Sequence, residues 1–168
     1  MRIIVSDSSC LIDLRKASLL GAFLGLPYEI LIPDTLFEEE LVKFTDEQKQ
    51  MLLRGGLQVV ELPGEGVARA QAIAAQFPAL SIHDCFCFVL TERHPGSILL
   101  SGDRSLRDLA LDHGIEVHGI LWVLDEIYQA RAATAAEIYT ALVLFENDPT
   151  VRLPRRDLRG FIQRFGEA

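Results

Sequence analysis

The sequence predicts an α/β fold, a three-layer α/β/α arrangement with helices covering both faces of a central, mainly parallel sheet, plus a C-terminal helical extension. Three observations predict it. Short apolar runs rich in β-branched residues, such as RIIVS (2–6) and SILLS (97–101), have the composition of buried strands. Longer segments with apolar residues at helical spacing alternate with them, which is the pattern of βαβ units and a parallel sheet. Hydrophobic residues make up 49% of the 168 positions, enough for one sizeable core.

The elements follow in order. RIIVS ends at Asp7. SSCLIDLRKASLLGAFLGL (8–26) places Leu11, Ile12, Leu14, Leu19, Leu20, Phe23 and Leu24 at helical spacing, and Pro27 ends that helix. YEILI (28–32) is a second strand, and Pro33 opens a helix over DTLFEEELVKF. Thr45-x-x-Gln48 has the form of a capping box for a helix running to Arg54 and closed by Gly55-Gly56. LQVVEL (57–62) is a short strand, and GEGVARAQAIAAQF is a helix stopped by Pro78. Ser81 caps the next helix with Asp84 as its capping-box acid, and Pro95-Gly96 follows its end near Arg93. SILLS leads through Gly102-Asp103 into the helix RSLRDLALDHG, and IEVHG (115–119) is the last strand. The remainder is helical: 120–131, then 134–147 capped by Thr134-x-x-Glu137, then 155–165 after Pro154. The expected organisation is a domain over 1–130, with 131–168 as a helical extension packed on it.

Composition narrows the function. The net charge is −8 and the pI about 5.0, which argues against broad electrostatic adhesion to nucleic acid but not against an enzyme that acts on it. Clustered carboxylates that hold a metal also make a chain acidic. No apolar run reaches the roughly 18 residues of a membrane helix, and MRIIVSDSS lacks the apolar core of a signal peptide. The expectation is a soluble, cytoplasmic protein without a membrane partner. Cys10, Cys85 and Cys87 lie in apolar surroundings and are expected to be reduced and buried; Cys85-x-Cys87 beside His83 is too sparse for zinc. Charge is uneven: from Thr150 onwards Arg152, Arg155, Arg156, Arg159 and Arg164 face only Asp157 and Glu167. That stretch is either a solvated amphipathic helix or a phosphate-contacting edge.

The acids are the informative residues. In a parallel sheet, ligands meet the carboxyl ends of the strands. Asp7 lies just past the first strand and Asp103 just past SILLS, after Gly102. Asp84 lies in the first turn of its helix, where the helix dipole favours a carboxylate. On a helical wheel of about 100° per residue, Leu36, Phe37, Leu41 and Phe44 share a face with Glu40 in its middle, Glu39 near its edge and Glu38 away from it. Each acid also has a plainer role: Asp7, Asp84 and Asp103 as helix caps, Glu39 and Glu40 as solvated side chains, and Asp108 as the partner in a Ser105-x-x-Asp108 cap. Several acids at one sheet edge repel unless a cation lies among them. Carboxylate and water oxygens suit hard ions such as Mg2+ or Mn2+.

VSDSSCLIDL, IPDTLFEEEL, LSIHDCFCFVLTE and ILLSGDRSLRDLALDHGIEVHGILWVLDEI, in that order, resemble the successive acidic motifs of PIN-domain nucleases, a family that includes the toxin ribonucleases of toxin–antitoxin pairs. The resemblance covers roughly residues 1 to 130. It implies a three-layer PIN-like fold and divalent-metal-dependent hydrolysis of RNA by Asp7, Asp84 and Asp103. A glutamate from EEE completes the set: proline-to-glutamate spacing favours Glu39, while the wheel and the following Leu41 favour Glu40. Ser8 or Ser9 takes the polar position after the first acid. The tail from Tyr128 onwards departs from the smallest members and resembles a branch that carries such an extension. The resemblance also implies homodimers and an antitoxin partner. Such a partner is expected to place an Arg or Lys among the acids, with Leu11, Leu14, Leu41 and Phe44 serving either as its groove or as ordinary core.

Other classes fit less well. A catalytically weak PIN-like module would bind RNA or a protein partner without cutting. A phosphatase of the haloacid-dehalogenase type wants a second aspartate where Ser9 stands, a receiver domain wants an acid pair and a lysine, and Gly64-Glu65-Gly66 lacks the ending of a phosphate loop.

Overall fold

The computed structural model describes residues 1–167. Five strands, β1 (Arg2–Ser6), β2 (Tyr28–Pro33), β3 (Gln58–Val60), β4 (Ile98–Leu100) and β5 (Glu116–His118), form one sheet in the order β3-β2-β1-β4-β5, with every neighbouring pair parallel. Ile4 pairs with Ile30 on one side and Ile98 on the other. The central strands are buried: Ile4, Val5, Ile32, Ile98, Leu99 and Leu100 are fully shielded from solvent. Burial on both faces explains why these strands are continuously apolar rather than alternating.

Among the described residues there are ten helices: α1 (Ser8–Lys16), α2 (Leu20–Leu24), α3 (Asp34–Glu39), α4 (Asp46–Arg54), α5 (Gly64–Gln76), α6 (Ile82–Glu92), α7 (Arg104–Asp112), α8 (Ile120–Gln129), α9 (Ala135–Asn147) and α10 (Arg155–Gly166). One face of the sheet is covered by α6, which packs against β1, β2, β4, α5 and α7. On the other, α8 packs against α1, α2 and α9, and α9 packs against α10. Tyr128 of α8 meets Phe165 of α10 edge to face, and Arg164 binds Asp125 at 2.8 Å, so the last helix is anchored through the one that follows the sheet.

Two helices differ from the expected extents. The segment 8–26 is two helices, because Ser18 adopts φ 57° and turns the chain between α1 and α2. The helix that follows β2 ends early: α3 stops at Glu39 with Glu40 as its C-cap, so Leu41 and Phe44 do not continue its face. They are nevertheless buried, together with Leu11 and Leu14. These four residues are interior packing and not an open groove for a partner helix. The three capping boxes at Thr45, Ser81 and Thr134 all form in both directions. Cys10, Cys85 and Cys87 are free and buried.

Candidate active site

The strand order turns at β1: β2 lies on one side and β4 on the other. A parallel sheet opens a crevice at such a point, at the carboxyl ends of its strands. The Asp7 amide donates to the Leu100 carbonyl at 3.0 Å, tying the ends of β1 and β4 together there. Above them is a cleft of about 710 Å3.

Asp7 is the N-cap of α1 and is buried; its Oδ1 accepts from the Cys10 amide and the Ser9 hydroxyl, each at 3.0 Å. Burial pushes its carboxyl above the usual range, and hydrogen bonding from Ser101 first, then from Cys10 and Ser9, opposes the shift without cancelling it. Glu40 follows α3 and reaches the cleft because Ser8 donates to its Oε1 at 2.7 Å. The early end of α3, rather than a continuous apolar stripe, is what aims Glu40 inward. Glu39 stays outside the cleft lining: its side chain is 61% exposed and meets His83 Nε2 at 2.7 Å, and the Nδ1 of the same ring lies 3.8 Å from Glu40 Oε2. Glu40 is therefore the glutamate among the cleft carboxylates.

Asp84 has two roles. Its Oδ2 accepts from the Ser81 amide at 3.0 Å while the Ser81 hydroxyl accepts from the Asp84 amide at 3.0 Å, and the same residue lines the cleft. Asp103 occupies the N-cap position of α7 but makes no cap hydrogen bond with its side chain. Its Oδ1 is buried without a hydrogen-bond partner. Burial raises the Asp103 carboxyl, and the charge of Asp84 raises it further; the nearby Ser105 and Leu106 amides and Arg152 pull the other way. Asp7, Glu40, Asp84 and Asp103 thus reach one cleft from four separate elements. Among the described residues, no three His, Cys, Asp or Glu side chains are already drawn together as an ion-holding set. Carboxylates at this range repel one another.

Several cleft residues escaped the sequence reasoning. Asp13 lies one turn beyond Ser9 on the same face of α1, and its carboxyl is pushed up to about 7, first by burial. Asp108 is not a cap, since Ser105 lies inside α7 rather than before it; Asp108 faces the cleft with Arg104, one turn earlier. The i, i+4 spacing of both pairs was available as a signal. Arg107 also lines the cleft, its Nη1 held by the Ser101 carbonyl at 2.9 Å. Of the tail arginines only Arg152 lines it; Arg155, Arg156 and Arg159 are exposed outside that lining. Trp122, stacked on His118 at 4.2 Å between ring centres, forms part of the apolar wall.

None of the curated proteins compared matches the chain. A family model described as "PIN domain" matches residues 3–167, which takes in the sheet, the cleft and the C-terminal helices. With the fully parallel five-stranded sheet and its carboxylates at the strand ends, this match means that the chain belongs to the PIN-domain family of nucleases.

Proposed function

We propose that this protein is a divalent-metal-dependent endoribonuclease whose ion-holding carboxylates are Asp7, Glu40, Asp84 and Asp103. The observation that carries the reading is Asp103 Oδ1, a buried acceptor with no donor, in a cleft shared with three other carboxylates. An unsatisfied buried polar atom costs about 1–3 kcal/mol, and a cation among the acids would offset that cost and their repulsion. The donor set is carboxylate and hydroxyl oxygen, which suits Mg2+ or Mn2+. Cys10 lines the cleft, but burial and then the charge of Asp7 hold its thiol protonated, so it is a poor ligand. A bound ion would supply an activated water and neutralise charge on the scissile phosphate and leaving oxygen.

The chain's own residues do the positioning. The Cys10 amide and Ser9 hydroxyl hold Asp7 Oδ1, Ser8 holds Glu40, and the α6 capping box holds Asp84. Arg107, fixed by the Ser101 carbonyl, presents a cation to the same cleft, where phosphate oxygens would lie. Within this reading the chain is a candidate toxin of a toxin–antitoxin pair, acting as a homodimer in the cytoplasm. Its antitoxin would insert an Arg or Lys among Asp7, Asp84 and Asp103 in place of the ion.

The test is cleavage of single-stranded RNA in Mn2+ or Mg2+. Removing an outer-shell partner of a metal typically costs 10–100-fold, so Asp7→Asn, Asp103→Asn and Glu40→Gln are each expected to lose about a hundredfold or more. Glu39→Gln is expected to stay within about threefold, because its partner is His83. Equal cleavage by the wild type, Asp7→Asn and Asp103→Asn, after removal of contaminating nucleases, defeats the mechanism. RNA binding without any cation-dependent cleavage favours a binding module instead.

A further inference from the structure

The segment joining α9 to α10 crosses one wall of the cleft: Thr150, Arg152, Leu153 and Pro154 all line it. The segment is clasped to α1. Lys16 Nζ binds Asp148 Oδ2 at 3.2 Å and donates to Thr150 Oγ1 at 2.7 Å, while Asp148 Oδ1 accepts from the Thr150 amide at 2.9 Å. Val151 is buried beneath the crossing. The Arg152 carbonyl lies 3.6 Å from the point a Cβ on Gly102 would occupy, so the crossing runs beside the residue that precedes Asp103. Arg152 itself is exposed and, among the described residues, takes part in no ion pair or side-chain hydrogen bond, yet it is close enough to influence the Asp103 carboxyl. Arg104 is likewise exposed and unpaired among the described residues, on the same cleft.

A guanidinium beside several carboxylates that binds none of them remains free to bind an anion. Among the other tail cations, Arg155 donates to the Glu146 carbonyl at 3.3 Å and Arg164 pairs with Asp125, while Arg156 and Arg159 lie outside the cleft lining. We propose that the C-terminal extension completes the substrate site, with Arg152 as a substrate-binding residue that contacts a backbone phosphate of single-stranded RNA next to the scissile one. The Lys16–Asp148–Thr150 clasp holds it in place. This inference rests on the ribonuclease reading above and adds to it a cation carried by the extension rather than by the sheet. Leu121, Trp122, Leu153 and Pro154 line the same cleft and supply apolar surface for an unstacked base.

The experiment uses the full chain and an end-labelled single-stranded RNA oligonucleotide. Cleavage is measured in Mn2+, and binding is measured in Ca2+ over a range of salt concentrations. Losing a hydrogen bond to a charged group costs about tenfold in affinity, so Arg152→Ala is expected to raise KM about tenfold with kcat within about twofold. It should also flatten the logarithmic salt slope of binding by about 0.7. Arg152→Lys should restore the slope but only part of the affinity, because an ammonium keeps the charge without the fork. Arg159→Ala, outside the cleft, should match the wild type. Lys16→Met should raise KM, and combining it with Arg152→Ala should add little, since both act through one contact. Unchanged KM and salt slope for Arg152→Ala, with a wild type that cleaves, overturns this inference and leaves the ribonuclease reading standing. Faster cleavage by Arg152→Ala also overturns it and identifies the crossing as a plug. Fully additive losses with Lys16→Met overturn the clasp. A wild type that neither binds nor cleaves the oligonucleotide overturns both readings.

Discussion

The first turns of α6 and α7 both carry an aspartate into the cleft, and they use it differently. At α6, Ser81 and Asp84 satisfy one another's backbone amides, so the acid is committed to holding the helix start while its remaining surface faces the cleft. At α7, Asp103 stands at the N-cap with the Ser105 and Leu106 amides nearby but no closed cap hydrogen bond, and it leaves Oδ1 buried and unpartnered. The α6 acid stabilises the fold that carries it. The α7 acid is held in an environment that burial and Asp84 make unfavourable for its charge. A residue in the second state gains most from a cation, and a residue in the first gives a cation a fixed place to bind.

The two aspartates should differ most in their response to the ion itself. A ligand present at about a hundred times its dissociation constant stabilises the folded state by about 2.7 kcal/mol, and each kcal/mol moves the melting temperature of a domain this size by about 2–4 °C. Mn2+ is therefore expected to raise the melting temperature of the wild type by several degrees and that of Ser81→Ala by a similar amount. It should raise that of Asp103→Asn far less. Circular dichroism melts with and without Mn2+ measure this, and an undiminished shift in Asp103→Asn removes Asp103 from the ion site.

Without metal, the two helix starts should respond with opposite sign. Ser81→Ala removes a capping box and is expected to cost about 1 kcal/mol. Asp103→Asn removes a like charge from beside Asp84 without breaking a cap hydrogen bond, and is expected to be neutral or stabilising by a few tenths of a kcal/mol. Urea denaturation of the metal-free proteins compares them; equal destabilisation by both would mean that Asp103 is a cap after all.

The smallest effect is a pH dependence. Burial pushes Asp13 up to about 7, Lys16 opposes the shift, and Asp7 and Asp148 add to it. Unfolded aspartate titrates near 4, so the folded chain binds this proton more tightly than the unfolded one. The resulting stability is present below the unfolded value and is lost as pH rises through about 7. Asp7 and Asp103 are raised as well and act in the same direction. The metal-free wild type is therefore expected to melt lower at about pH 8 than at about pH 5, and Asp13→Asn to show a shallower fall. Glu92, Glu116 and Asp148 are shifted down, so their contributions change in more acidic solution and do not obscure the difference. Parallel pH profiles for the wild type and Asp13→Asn would place the Asp13 proton elsewhere.

Much of the architecture was readable along the chain, because its determinants are local. Five short apolar runs became five strands, and the boxes at Thr45, Ser81 and Thr134 formed as their spacing required, since each needs only residues three apart. Parallel strands also oblige Asp7 and Asp103 to share an edge, whatever the packing. The failures lie where local pattern competes with packing. Continuous apolar spacing over 8–26 concealed the turn at Ser18, because both short helices bury the same kind of side chain. The wheel through Leu36 to Phe44 assumed a helix that ends at Glu39.

The sequence alone determined the parallel α/β class, the acids at the strand ends and the helix starts that hold them, through burial, strand direction and short-range hydrogen bonding. The tertiary structure decided which acids and cations share solvent. It put Glu40 in the cleft through Ser8 and Glu39 on His83, left Asp103 Oδ1 without a donor, and separated Arg152 from the other tail arginines. Each of these depends on atoms distant in sequence: Ser8 and Glu40 are 32 positions apart, and Lys16 and Asp148 are 132. Spacing along one element sets a side chain's direction, but its partner is set by how separate elements pack.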